Sequence, residues 1–228
     1  MSILPARWRS QLIAVACLGL SLGGCGGLLP KPPERQIYRL MPSFAFSPGL
    51  PHVTAQLAVA APSALAALDT ARIATVRSPA TLDYFADAEW ADHAPFVVQA
   101  ALLEGFEKSG ATAAVGPESL GLHADFVLET ALRDFAAIYD SPTAAPHAVV
   151  SLNLKLVRLP EHVIVGQTTV RADAAAAANT LADVVAAFDA ALGRAVQDAV
   201  TWTVGNPALS GHHRSVVSWS RFVQEGGS

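Results

Sequence analysis

Two spacings of apolar residues divide this chain. Alternation suits a strand with one buried face, and a three-to-four spacing suits a helix. Val150, Leu152, Leu154 and Leu156 alternate with Ser151, Asn153 and Lys155. This is the cleanest alternation in the chain and predicts a strand buried on one face and wet on the other. Val163 to Arg171 follows across Pro160-Glu161-His162, which predicts a hairpin. Asp125 to Phe135 also alternates, with Phe126, Leu128, Thr130 and Leu132 on one side and Glu129, Ala131 and Arg133 on the other. Four shorter strands are predicted earlier, at Ile37–Leu40, Gln56–Ala60, Arg72–Arg77 and Thr81–Ala86. The last two flank Ser78-Pro79-Ala80 and form a second hairpin. Ala113–Val115 offers a further short strand.

Helical spacing occurs twice. From about Pro95 to Ser109, Phe96, Leu103 and Phe106 recur with Val98 or Ala100 beside them. Pro95 suits the first turn, where its missing N–H is not needed, and Gly110 ends the run. The second helix is stronger. Leu181, Val184, Val185, Phe188, Leu192, Val196 and Val200 form one stripe, with Asp183, Asp189, Arg194, Gln197 and Asp198 off it. Asn179 or Thr180 can cap it. It runs to about Trp202 or Val204 and stops at Gly205-Asn206-Pro207. The run Ala174–Ala178 before it reads equally as helix or loop. The predicted fold is α+β: a two-layer domain over 37–204, its sheet mostly antiparallel or mixed, with two amphipathic helices on one face. From 205 to 228 no period is clear, although Val216, Val217, Trp219 and Phe222 are apolar. This segment reads as a poorly ordered tail available to a partner.

The N-terminus has a different logic. Arg7 and Arg9 precede an uncharged apolar stretch from Leu12 to Leu22, which ends in Leu22-Gly23-Gly24-Cys25. Basic flank, short apolar core and small residues before a cut are the order of a secretory signal. The core is well under the roughly 20 residues that span a bilayer. The arrangement resembles the lipobox of bacterial lipoproteins. Residues 1–24 are then removed and Cys25 takes a diacylglycerol and an N-acyl chain. Residues 25–36 contain three prolines and form a semi-stiff tether.

Composition narrows the chemistry. Of two cysteines, Cys17 leaves with the signal, so Cys25 stands alone and no disulfide or thiolate metal site can form. Residues 1–24 carry two arginines and no acids, so their removal shifts the net charge from −4 to −6. A mildly acidic chain without a basic stripe is a poor nucleic-acid binder. There is no Walker loop, GxSxG elbow or HExxH helix. The densest polar cluster is Asp83, Asp87, Glu89, Asp92 and His93. The strand pattern there splits it between faces, and metal ligation needs three or four convergent groups. His212-His213 reads as a solvated pair in the tail. No catalytic residue and no metal site are assigned.

Several segments in order carry a family resemblance. Ile37-Tyr38-Arg39-Leu40 follows the lipobox and the proline-rich leader. Leu68-Asp69-Thr70-Ala71-Arg72-Ile73-Ala74 comes next, then Tyr84-Phe85-Ala86-Asp87-Ala88-Glu89-Trp90-Ala91. Leu103 to Gly110 leads to Ala114-Val115, and Ala187-Phe188-Asp189-Ala190-Ala191-Leu192 precedes Trp202. From about Cys25 to Val204 the chain resembles the ABC-type transport auxiliary lipoproteins. These include lipoproteins of the paraquat-inducible operon and others encoded beside MCE-domain lipid transporters. The resemblance implies a non-catalytic role in moving lipid across a Gram-negative envelope, receiving or anchoring the far end of a periplasmic MCE assembly. It implies no catalytic residues and no cofactor beyond the lipid on Cys25. The expected partners are an MCE-domain protein, a membrane through the lipid anchor, and further copies in a ring. Glycine rather than aspartate at position 26 points to the outer membrane, with the domain on its periplasmic face. Tyr84, Phe85 and Trp90 are the expected contact residues, with core packing of Tyr84 and Trp90 as the competing reading. The rival functions are a lipid carrier with its own cavity and a hydrolase, for which the sequence has no motif.

Overall fold

In the computed structural model, residues 35–78, 81–121 and 123–210 are described. Among the described residues, nine strands and three α-helices follow one another: β1 Gln36–Tyr38, β2 Val53–Val59, β3 Ser63–Ala64, β4 Arg72–Ser78, β5 Thr81–Trp90, α1 Ala94–Ser109, β6 Thr112–Pro117, β7 Phe126–Ile138, β8 His147–Arg158, β9 Val163–Ala175, α2 Leu181–Val204 and α3 Pro207–Ser210.

All nine strands share one mixed sheet, and β7 is its axis. Along one edge β7 pairs antiparallel with β8, which pairs antiparallel with β9. Its other edge is divided among three parallel partners. Phe126–Leu128 meets β2, Ala131–Leu132 meets β3, and Ala136–Ile138 meets β4. The sheet therefore forks. One branch runs β2 to β6, in parallel; the other runs β4 to β5 antiparallel and then β1 parallel. Both predicted hairpins, β4–β5 and β8–β9, are present.

The two long helices cover one face of this sheet. Thr180 caps α2, its Oγ1 accepting from Asp183 N–H at 3.3 Å. Six of the seven predicted stripe residues of α2 are buried, and Leu181 packs at the margin. The other helix differs from expectation. In α1 the buried set is Ala94, Pro95, Val98, Ala101, Leu102, Gly105 and Phe106, while Phe96 is 48% exposed and Ala100 is exposed. This helix carries apolar residues nearly all round, so the sequence left its inward face undetermined. Gly110 ends it in the left-handed region at φ 62°, its N–H donating to Glu107 O.

Two predictions about irregular regions also change. A register shift between Leu132 and Asp134 reverses the parity of β7, which brings Phe135 and Ala137 into the core beside Phe126 and Leu128. Beyond Gly205, residues 207–210 form one helical turn and Leu209 is buried, so the poorly ordered tail expected from 205 does not begin there. The remainder of that tail, with His212-His213, lies outside the described residues, as does Cys25.

Between β1 and β2, residues 39–52 cross the outer side of the helices as a strap. Asp189 Oδ1 accepts from Met41 N–H at 2.6 Å, and Gln197 Nε2 donates to Ala45 O at 2.6 Å. Gly193 permits the closest approach: a Cβ there would lie 2.7 Å from Ser43 O. The strap explains why α2 is buried on more than its sheet side.

Candidate functional site

Among the expected contact residues, Trp90 lies deepest. It is 2% exposed, its ring meets Phe135 at 5.7 Å and Phe188 at 5.0 Å between centroids, and its Nε1 has no hydrogen-bond partner. Trp90 is thus a core side chain and offers no surface to a partner. Phe85 packs, half-buried, against the same core. Tyr84 belongs to a separate cluster with Leu68, Ala74 and Ala136. Its hydroxyl donates to Ala67 O at 2.9 Å, and the Arg72 guanidinium stacks 3.8 Å from its ring centre. The three aromatics therefore do not form one patch.

The polar cluster 83–93 is dispersed too. Glu89 pairs with Arg35, and His93 Nδ1 lies 2.9 Å from Asp69 Oδ1 in an exposed pair. Among the described residues no three His, Cys, Asp or Glu side chains converge as a metal would require. Also among the described residues, no helix is long and apolar enough to cross a membrane.

The surface that stands open is the sheet face opposite the helices. On β8 the inward residues Ala148, Val150, Leu152, Leu154 and Leu156 join the core. The outward residues become progressively wetter: Val149 and Ser151 are buried, Asn153 is half-buried and Lys155 exposed. Ser151 sits in register between Asp134 of β7 and Arg171 of β9, which pair above it at 2.7 Å. That ion pair closes one end of the face. The prediction of a uniformly wet face for this strand holds only at the other end. There a groove of about 530 Å³ opens. Its floor holds Glu129 directly opposite Lys155 in the strand register, with Asn153 and Arg133 nearby. Leu65 after β3 and Ile164 on β9 form an apolar rim, 73% and 52% exposed. Asn153 is held in place by its Nδ2, which donates to Thr169 Oγ1 at 3.0 Å. Leu65 and Ile164 were not among the sequence candidates. Alternation places Ile164 on the inward side with Val170, and only the register shift between Leu156 and Val157 turns it outward, so the sequence carried no signal for it.

A mixed sheet layered with helices on one face, its other face bearing a polar-floored groove, defines an α+β two-layer domain. Residues 38–200 match the family described as the ABC-type transport auxiliary lipoprotein component, and the chain belongs to that family. The solved structure of XCC0632 from Xanthomonas campestris, a DUF330 protein, is similar at 30% identity and TM-score 0.70, covering 74% of this chain and 94% of that one. A second solved structure, of an uncharacterized protein, has the same fold at 12% identity and TM-score 0.58, over 75% of this chain and 99% of that one. The uncharacterized protein bll6063 of Bradyrhizobium diazoefficiens is 30% identical over 177 residues, 76% of this chain. This chain spans only 46% of that relative's length. The family is a transport auxiliary one, and its members are lipoproteins.

Proposed function

We propose that this chain is the lipid-anchored docking subunit of an MCE-type ABC lipid transporter, tethered through Cys25 to the periplasmic face of the outer membrane. The observation that carries the docking role is the uncovered groove of β7, β8 and β9, where the exposed Leu65 and Ile164 border Glu129 and Lys155, which stand opposite each other in the strand register. Exposed apolar side chains supply contact area, and charged side chains supply register with a partner. Its partner in this reading is the MCE-domain protein. Family membership supports a transport role, and the lipobox supports the anchor.

A carrier is disfavoured by the interior. The space between sheet and helices is filled by Phe106, Phe126, Phe135 and Phe188, all under 2% exposed. A ligand cavity there would need several hundred Å³.

The test is co-purification of the MCE protein with Leu65→Asp and Ile164→Asp variants. Both side chains are exposed, so melting should be unchanged while capture is lost. Undiminished capture by the double variant would sink the docking site.

A further inference from the structure

Strand β9 ends the sheet. Among the described residues it pairs with β8 alone, so its second edge carries no strand. In an antiparallel ladder alternate residues turn both backbone groups to the neighbour, and those between turn theirs away. Ala176 N–H donates to Pro146 O at 2.9 Å, which continues the β8–β9 register and fixes its phase. Even-numbered residues from Gly166 onward therefore bond β8, while Gln167, Thr169, Arg171 and Asp173 turn their N–H and C=O groups outward. Arg194 of α2 reaches over this edge and donates to Asp173 O, as that phase requires. Among the described residues no side chain caps Gln167, Thr169 or Arg171 in this way, and all three are exposed.

Exposed strand edges are normally guarded by charges, proline or bulges. Val163–Val170 contains no charge and no proline. The Arg171 side chain leans away from the edge, across β8 to Asp134. A register shift beside Ile164 closes the edge at one end, and Arg194 closes it at the other. Between them the outward N–H and C=O pairs recur about every 7 Å, two residues of strand. The chemistry that fits such a row is another extended backbone.

Helix α2 decides which backbone. Arg194 lies at the Asp173 end of the edge. Trp202 lies at the Gly166 end, where a Cβ would meet its Cζ2 at 3.3 Å. Asp198 stands between them on the same side of the helix, four residues from each. It is exposed, and among the described residues no cation pairs with it. A second copy would meet this edge antiparallel about a two-fold axis, with Thr169 opposite Thr169. The two Asp198 carboxylates would then face each other across the axis, and like charges so placed oppose pairing. A strand carrying Lys or Arg on that side satisfies Asp198 instead. Ile164, on the rim of the docking groove, belongs to the same strand, so a partner seated in the groove lies beside the edge.

We infer that the open edge of β9, from Gln167 to Arg171, receives an extended basic segment of the groove's partner protein as an added strand, with a Lys or Arg side chain over Asp198. This rests on the docking reading of the groove.

The experiment is residue-resolved amide exchange on the full mature chain, with and without the MCE-domain protein. Strand addition should slow Gln167, Thr169 and Arg171 by about tenfold or more, the equivalent of one backbone hydrogen bond each. Thr168 and Val170, already bonded to β8, should change little. A partner that merely lies over the surface does not produce this alternation. Capture of the MCE protein without it overturns the inference and leaves the groove standing. Absence of capture overturns the groove and the inference with it. Outward amides already slow in the chain alone overturn it in favour of another occupant: a second copy if dilution speeds them, the chain's own remaining residues if it does not. Two substitutions at one exposed position add an independent arm. Gln167→Pro deletes an outward N–H at a place where an edge strand tolerates proline, so capture should weaken about tenfold. Gln167→Ala keeps the N–H and should capture like the parent; equal capture by both variants overturns the added strand. Asp198→Lys should weaken capture several-fold, and undiminished capture would overturn the basic segment.

Discussion

The ring of Trp90 meets the ring of Phe188 edge to face, centroids 5.0 Å apart and planes at 78°. The contact joins the last residue of β5 to the middle of α2, and Phe135 of β7 closes the triangle at 5.7 and 5.0 Å. Sheet and helix layers are thereby locked at one point by three aromatic rings. Such pairs add about 0.5–1.5 kcal/mol beyond the area they bury. Phe188→Ala should therefore cost about 3–5 kcal/mol, a large share of a typical domain's stability. Trp90→Ala should cost a similar amount. Trp90→Phe should be much milder, because it removes an unpaired buried N–H that itself costs about 1–3 kcal/mol. Denaturant melts of the three variants measure this, and equal losses for Trp90→Phe and Trp90→Ala would contradict it.

The strap gives a second expectation. Gly193→Ala improves helix propensity by roughly 0.8–1.0 kcal/mol. It also places a Cβ 2.7 Å from Ser43 O, a backbone atom that cannot rotate away. Forced overpacking of this kind costs about 1–3 kcal/mol, so the clash should win. Amide exchange at Phe44–Phe46 should speed up in the variant. Unchanged exchange with raised stability would show that the strap yields freely.

Asp189 supplies a dependence on pH. Burial pushes its carboxyl above the ordinary value of 3.8, only partly opposed by the hydrogen bond from Met41 N–H. The folded state thus holds this proton more tightly than the unfolded state does. The group's contribution is full below 3.8 and is lost as pH rises through the raised folded value. Asp189→Asn should remove that slope while Oδ1 still accepts from Met41. Melting curves of the two proteins across the carboxylate range should diverge as the pH rises, with the variant gaining relative to the parent. Parallel curves would rule the effect out.

Acylation and sorting are tested together. Cys25→Ser should abolish incorporation of labelled palmitate. With glycine at position 26, the parent protein should fractionate with outer-membrane markers on a sucrose gradient, and Gly26→Asp should shift it to the inner membrane. Persistent labelling of Cys25→Ser, or a parent found mainly with inner-membrane markers, would refute the proposed anchor or its destination.

Both hairpins and the α2 stripe were legible because each is a local regularity. Val150 to Leu156 alternates without interruption, and Phe188 sits where the 3.6 period puts it. Phe96 misled because α1 is apolar on several faces, and only packing against α2 and β2 selects Val98 and Leu102. Trp90 was ambiguous for a related reason. Its burial depends on Phe135 and Phe188, 45 and 98 positions away, and nothing in Tyr84–Trp90 encodes their arrival. The outer groove was half-legible. The polar side of β8 announced an open face, but the Asp134–Arg171 pair that closes one end depends on the β7 register shift, which alternation alone does not reveal.

The fork of the sheet bears on how the chain is delivered. Strands β2, β3 and β4 are joined to one another only through β7, and Gln56 N–H is held by Asp125 at a separation of 69 residues. A chain made and moved N-terminus first presents all three before their shared partner exists. Closure over such loops is slow, since chain entropy is lost before contacts repay it. Residues up to about 120 then lack the strand that joins their two branches. The branches meet only once β7, and then α2 over its neighbouring strands, have followed, so the order of strands delays closure of the fold until most of the chain has been made.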